Sequence, residues 1–122
     1  MKGIENLKVI RDSESLENIR QMTRCFIDKV NPLKVILFGS FADGSYTDES
    51  DYDFYLVVED GRNVSDATDA AYHSVLDVKN RPVDIVVGTN HRFEMMKNVK
   101  ISFTVEDEVH KKGILLYDQT SA

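Results

Sequence analysis

The segment Asp51-Tyr52-Asp53-Phe54-Tyr55-Leu56-Val57-Val58 constrains this chain most. It is rich in aromatic and β-branched residues, which favours an extended strand. From Phe54 to Val58 every side chain is apolar. Successive side chains of a strand point to opposite faces, so both faces of this one need cover. A strand of that kind belongs to a sheet with helices packed against it. The same strand opens on two carboxylates, Asp51 and Asp53, which a two-residue spacing puts on one face.

The rest of the chain supplies the cover. Over Ser13–Val30, the residues Leu16, Ile19, Met22, Phe26 and Val30 recur at spacings of three and four. That stripe predicts a helix, capped by Ser13 or Ser15 and stopped by Asn31-Pro32. Lys34–Phe38 reads as a short strand, apolar on both faces and broken by Gly39-Ser40. Beyond Gly61, Asn63 or Ser65 can cap a helix to about residue 78, with Ala67, Ala71, Val75 and Val78 facing inward. Arg81-Pro82 closes it, and residues 83–87 read as a further strand. Residues 90–98 and 102–112 read as helices, the second ended by Gly113 in the usual C-terminal glycine position. Residues 114–117 read as a last strand, while residues 1–12 fit a short helix or a strand equally. The fold class is α/β, and no linker divides residues 1–122, which are expected to form a single domain.

Composition narrows the function. With 15 basic and 21 acidic residues among 122, the formal net charge is −6. That balance argues against a generic nucleic-acid binder, which depends on Lys and Arg contacts to phosphates, and against docking on anionic lipid. No apolar run approaches the length of a membrane span. The single cysteine, Cys25, cannot form an internal disulfide, and the first residues carry no apolar signal core. A reduced, cytoplasmic setting is expected.

The chemistry concentrates in residues 39–53. Two carboxylates side by side at the start of an apolar strand repel each other, and burial raises the cost. A divalent cation relieves both problems, and hard oxygen ligands suit Mg²⁺ or Mn²⁺. Asp84 lies near the start of the strand over residues 83–87. If the two strands pair, it joins Asp51 and Asp53. Three such carboxylates can hold two metal ions about 4 Å apart, an arrangement suited to in-line phosphoryl transfer. Upstream, Gly39-Ser40 ends a strand and is followed by Ala42 and Gly44, so backbone N–H groups can approach an anion. The Ser40 hydroxyl can donate to a phosphate oxygen. Taken singly, an Asp-x-Asp pair is more often a loop or a cap, and a Gly-Ser a turn. The conjunction is far more specific than its parts.

In these residues the chain resembles the nucleotidyltransferase superfamily typified by DNA polymerase beta. Within it, the chain resembles the minimal nucleotidyltransferases (MNT) encoded beside HEPN partners in prokaryotes. The family pattern is Gly-Ser-x-Ala-(Arg/Lys)-Gly, a variable loop, then Ser-Asp-x-Asp before an apolar residue. Gly39, Ser40, Ala42, Gly44, Ser50, Asp51 and Asp53 match it, and Asp84 matches the third carboxylate. Lys112-Gly113-Ile114-Leu115-Leu116-Tyr117 resembles the family's ending, so the likeness spans roughly residues 13–118. Asp43 departs from the pattern, standing where the family often has a basic residue, and a carboxylate there repels a triphosphate.

The resemblance implies a small nucleotidyltransferase-fold domain, a mixed β-sheet with helices packed against it. It implies transfer of AMP from ATP, with Asp51, Asp53 and Asp84 as metal ligands and Asp84 also orienting or deprotonating the acceptor hydroxyl. Gly39 and Ser40, with Gly44 and Ser50, would bind the nucleotide. The implied acceptor is a tyrosine of a HEPN ribonuclease toxin, silenced by its MNT antitoxin. Two other readings stand beside it: an antitoxin that acts by binding alone, and a small-molecule (antibiotic) nucleotidyltransferase whose acceptor pocket forms by dimerisation. A chain of this length has no second domain to build that pocket, so a partner chain or a second copy is expected.

Other residues carry less. His73, His91 and His110 lack the spacing of a zinc site. Cys25 lies in mid-helix as a structural thiol. Ser40 is not in a Gly-x-Ser-x-Gly elbow. Asp48 and Glu49 read as solvated loop charges, and Phe93, Met95 and Met96 as core or as a partner-facing patch.

Overall fold

The computed structural model describes residues 1–98 and 104–121. Four strands, β1 (Lys34–Phe38), β2 (Tyr52–Val58), β3 (Val83–Thr89) and β4 (Ile114–Asp118), form one sheet in the order β3-β2-β1-β4. β2 and β3 run parallel, whereas β1 is antiparallel to both of its neighbours, so the sheet is mixed. Among the described residues five α-helices accompany it: α1 (Ser13–Val30), α2 (Ser40–Asp43), α3 (Val64–Val75), α4 (Asn90–Met95) and α5 (Val105–Lys112). The undecided N-terminal stretch forms a 3-10 helix over Ile4–Val9.

Both faces of the sheet are covered, as the apolar run in β2 demands. On one side Ile19, Met22, Phe26 and Val30 of α1 and Ala67, Ala71 and Val75 of α3 pack on Leu37, Phe54 and Leu56. The rings of Phe26 and Phe54 meet edge to face at 5.0 Å. On the other side Phe93 of α4 and Val109 of α5 pack on Ile36, Phe38, Tyr55 and Val57. No described helix is long and apolar enough to cross a membrane.

Several boundaries differ from the sequence expectation, each for an identifiable reason. The cap of α1 is neither Ser13 nor Ser15 but Asp12, whose carboxylate accepts the Ser15 amide at 2.9 Å. Asn31 ends that helix in the left-handed conformation, at φ 52°. Asn63 caps α3 as expected, but α3 stops at Val75 rather than near residue 78. There the Asn18 side chain donates to the Val78 carbonyl at 2.8 Å and accepts the Asn80 amide at 2.9 Å, holding the chain in a turn. The expected start of the last helix at residue 102 lies outside the described residues, and α5 begins at Val105 with Thr104 as its cap. Gly113 is not left-handed: it is extended, at φ −69° and ψ 154°. Its smallness matters for another reason. A Cβ there would lie 2.6 Å from the Val109 carbonyl oxygen and 2.7 Å from Ile36 Cγ2.

Candidate active site

The directions of the strands bring the expected residues together. β1 finishes where β2, β3 and β4 begin, so Gly39-Ser40, Asp51, Asp53 and Asp84 share one end of the sheet. Asp53 lies opposite Phe38 of β1 on one side and opposite Asp84 of β3 on the other. Pleat alternation puts Asp53 on the face of Tyr55 and Val57, the side covered by α4 and α5. Asp51 precedes β2 by one residue and is half-buried, and Asp84 is exposed on the edge strand.

The electrostatics follow from that crowding. Burial, then the charges of Asp84, Asp51 and Glu108, push the Asp53 pKa up to about 6. Glu108, an exposed residue of α5, is a fourth carboxylate at this end. Paired carboxylates on adjacent strands are a hard, anionic donor set, which fits a divalent cation. Among the described residues, however, no three acidic, histidine or cysteine side chains already converge as a metal-binding group. The assembled element is the Asp53–Asp84 pair, with Asp51 and Glu108 around it.

The Gly-Ser turn is built against this pair. Gly39 has φ +74°, and a Cβ on it would overlap Asp53 Oδ2 and lie 3.0 Å from Asp53 Cγ. Glycine is therefore required twice over, by conformation and by contact. α2 follows immediately, its Ala42 and Asp43 amides donating to the Gly39 carbonyl at 3.0 and 3.2 Å. Gly44 closes it in the left-handed conformation, at φ +84°, and donates to the Ser40 carbonyl at 3.0 Å. Phe41 anchors the helix from below, stacked on Tyr46 at 4.1 Å and tilted against Tyr52 at 4.8 Å.

Two arginines from outside the motif hold the following loop. Arg81 donates to the carbonyls of Thr47, Asp48 and Ser50 at 3.2, 3.0 and 3.1 Å. Arg11 donates to the Gly44 and Tyr46 carbonyls at 2.8 and 3.3 Å, with its guanidinium 4.4 Å over the Tyr46 ring. The Ser50 hydroxyl accepts the Thr47 amide at 2.8 Å, a loop-shaping contact beside its expected nucleotide role. Asp43 is exposed, and its carboxylate accepts the Ser45 amide at 2.9 Å and the Ser45 hydroxyl at 2.6 Å. Asp48 and Glu49 are exposed, as expected.

A buried polar network fixes α5 above the sheet. The Tyr55 hydroxyl donates to Glu106 at 2.8 Å, and Arg92 of α4 donates to the same carboxylate at 3.1 Å. Burial and the Glu106 contact hold the Tyr55 hydroxyl well above its usual pKa. Gly88 makes room for this hydroxyl, since a Cβ there would overlap it. His110 stacks on Phe93 at 4.0 Å, His73 contacts the Asp69 carbonyl at 3.0 Å, and Cys25 is half-buried. Phe93 belongs to the core and Met95 is exposed.

Comparison with known proteins adds a family. The family model described as "Polymerase beta, Nucleotidyltransferase" matches residues 20–122. A curated protein of Methanocaldococcus jannaschii, provisionally named a protein adenylyltransferase, is 31% identical over 87 residues, covering 69% of this chain and 77% of its own length. A solved structure described as a toxin-antitoxin with AMP-PNP superposes with a TM-score of 0.57 at 20% identity, covering 86% of this chain and 74% of its own. A second, provisionally described as a nucleotidyltransferase from Sulfolobus solfataricus, gives 0.51 at 20% identity over 92% and 94%. At that identity the two solved structures speak for the fold.

Proposed function

Because this chain belongs to the polymerase beta nucleotidyltransferase family and is a nucleotidyltransferase, we propose that it moves AMP from ATP to a tyrosine hydroxyl of a HEPN-type toxin, acting as that toxin's antitoxin. The observation that carries the chemistry is Asp53 opposite Asp84, with Gly39 packed directly on Asp53.

Asp53 and Asp84, with Asp51 beside them, would hold Mg²⁺ or Mn²⁺. Such an ion, when bound, neutralises charge on the triphosphate oxygens. The chain itself positions the reactants. Gly39 lets the backbone come close to the phosphates, and the Ser40 hydroxyl donates to a β- or γ-phosphate oxygen, with Gly44 and Ser50 shaping the same wall. Asp84, exposed on the edge strand, orients the acceptor hydroxyl and takes its proton. The acceptor oxygen bonds to the α-phosphorus as the bond to the departing pyrophosphate breaks. Catalysis is then positioning and charge stabilisation, with no covalent enzyme intermediate.

The protein acceptor is supported by the name of the M. jannaschii relative, and the adenine nucleotide and toxin partner by the solved toxin-antitoxin with AMP-PNP. The test is incubation with labelled ATP, Mg²⁺ and the product of the neighbouring gene. Label is expected on that partner, and none with Asp53→Asn. Tight complex formation without label sinks the enzyme reading in favour of a binding-only antitoxin. Label on an antibiotic instead of the partner makes this a small-molecule transferase.

A further inference from the structure

A triphosphate would bring several negative charges to an end of the sheet that already carries Asp43, Asp51, Asp53, Asp84 and Glu108. Metal ions offset part of that charge, and the rest needs cations of the protein. The nearby arginines are occupied, since Arg11 and Arg81 donate to loop carbonyls. Lys111 is paired with Asp107 at 3.0 Å.

Lys112 and Lys2 are different. Both are exposed, and among the described residues neither makes a salt bridge. Their backbones are tightly placed. Ile114 lies opposite Leu37 of β1, while Phe54 lies opposite Leu37 on the other side. Lys112 is the last residue of α5, one before Gly113 and two before Ile114, so α5 delivers it near the end of β1 where Gly39-Ser40 begins, on the β4 side of that strand. Contact with Val109 and Ile36 leaves Gly113 no room for a side chain, which fixes the α5–β4 junction. Lys2 bridges to Ile114: its amide donates to the Gly113 carbonyl at 2.8 Å, and its carbonyl accepts the Leu115 amide at 2.9 Å. The charges of both lysines reach α2. Behind the hydroxyl and amide of Ser45, Lys112 and Lys2 help to hold the Asp43 carboxyl below its usual pKa.

We infer that Lys112 and Lys2 form a polyphosphate clamp that grips the β- and γ-phosphates of the donor, and then the pyrophosphate, on the flank of Gly39-Ser40 opposite Asp53. The inference rests on the nucleotide reading above. Lysine suits the task as a compact point charge on a flexible stem, able to follow a phosphate as its geometry changes. The clamp also explains how the site tolerates Asp43: that carboxylate is turned onto Ser45, and the positive charge comes from a distant part of the chain.

The test is equilibrium binding of ATP, AMP and pyrophosphate, each with Mg²⁺, to the wild-type chain and to Lys112→Met, Lys2→Met and Lys112→Arg. Losing one phosphate-binding cation is expected to weaken ATP and pyrophosphate about tenfold, with AMP changed less than about twofold. Lys112→Arg is expected to keep most of the affinity, and the Met variants to lose part of the salt dependence. Unchanged ATP affinity in both Met variants overturns the clamp while leaving the nucleotide reading intact. Equal weakening of AMP and ATP also overturns it. If the wild-type chain binds neither ATP nor pyrophosphate, the nucleotide reading itself fails. Far-UV circular dichroism and melting temperature show that each variant is folded.

Discussion

Asp53 has two opposed roles. Its charge is disfavoured in the metal-free fold, because burial and the carboxylates of Asp84 and Asp51 all oppose it. Asp53→Asn keeps the shape and removes the repulsion, so the metal-free melting temperature is expected to stay level or rise while transfer disappears. A large fall in stability would show that the carboxylate is structural. Asp12 behaves in the opposite sense. Hydrogen bonds from Ser15, and then from Tyr46, lower its pKa to about 2. An unfolded aspartate titrates near 4, so the folded state gains from the charged form above that pH and loses the gain as pH falls through about 2. Asp12→Asn should flatten the acid limb of a melting curve series between about pH 5 and pH 2 relative to wild type. At this scale the sequence was informative where spacing is regular. The placement of Asp51, Asp53 and Asp84 at one end of the sheet was legible because each opens an apolar strand, and that of Gly39 because it ends one. Arg11, Arg81 and Glu108 carry no local signal: they reach the site through tertiary packing of α1, β3 and α5 surroundings that no short pattern encodes.

The elements show the same division between local and distant causes. β1 was legible to its ends because Gly39 breaks it sharply, and α1 because its stripe is long and regular. The end of α3 was not, since Asn18, in another helix, sets it. Gly113 ends α5 as its sequence position suggested, but what requires glycine there is contact with the Val109 carbonyl and with Ile36 on a neighbouring strand rather than a left-handed backbone. The tie between α5 and the sheet is testable on its own. Tyr55→Phe removes a donor from the buried Glu106 carboxylate, leaving Arg92 to satisfy it. Leaving such a group short of a partner costs roughly 1–3 kcal/mol, which urea denaturation can measure. Transfer should also weaken, because α5 carries Lys112 and Glu108 at the site end of the sheet.

At the scale of the molecule, helices on both sides of a mixed sheet follow from one buried strand, as its sequence required. The strand order did not follow from periodicity, because a two-residue repeat says nothing about neighbours. The parallel pairing of β2 with β3 has a consequence in time. Asp53 and Asp84 face each other only when the chain that carries α3 has looped back to the sheet, because α3 lies between their two strands. Closing such a loop is slower than winding a helix, whose contacts are local. A chain refolding from denaturant should therefore show its helical ellipticity before it shows transfer, and the lag between the two signals measures β2–β3 docking. If both signals returned with one rate constant, docking would coincide with helix formation. The Asp53–Asp84 pair thus doubles as a clock for its own assembly, since its two carboxylates meet only once β2 and β3 have docked.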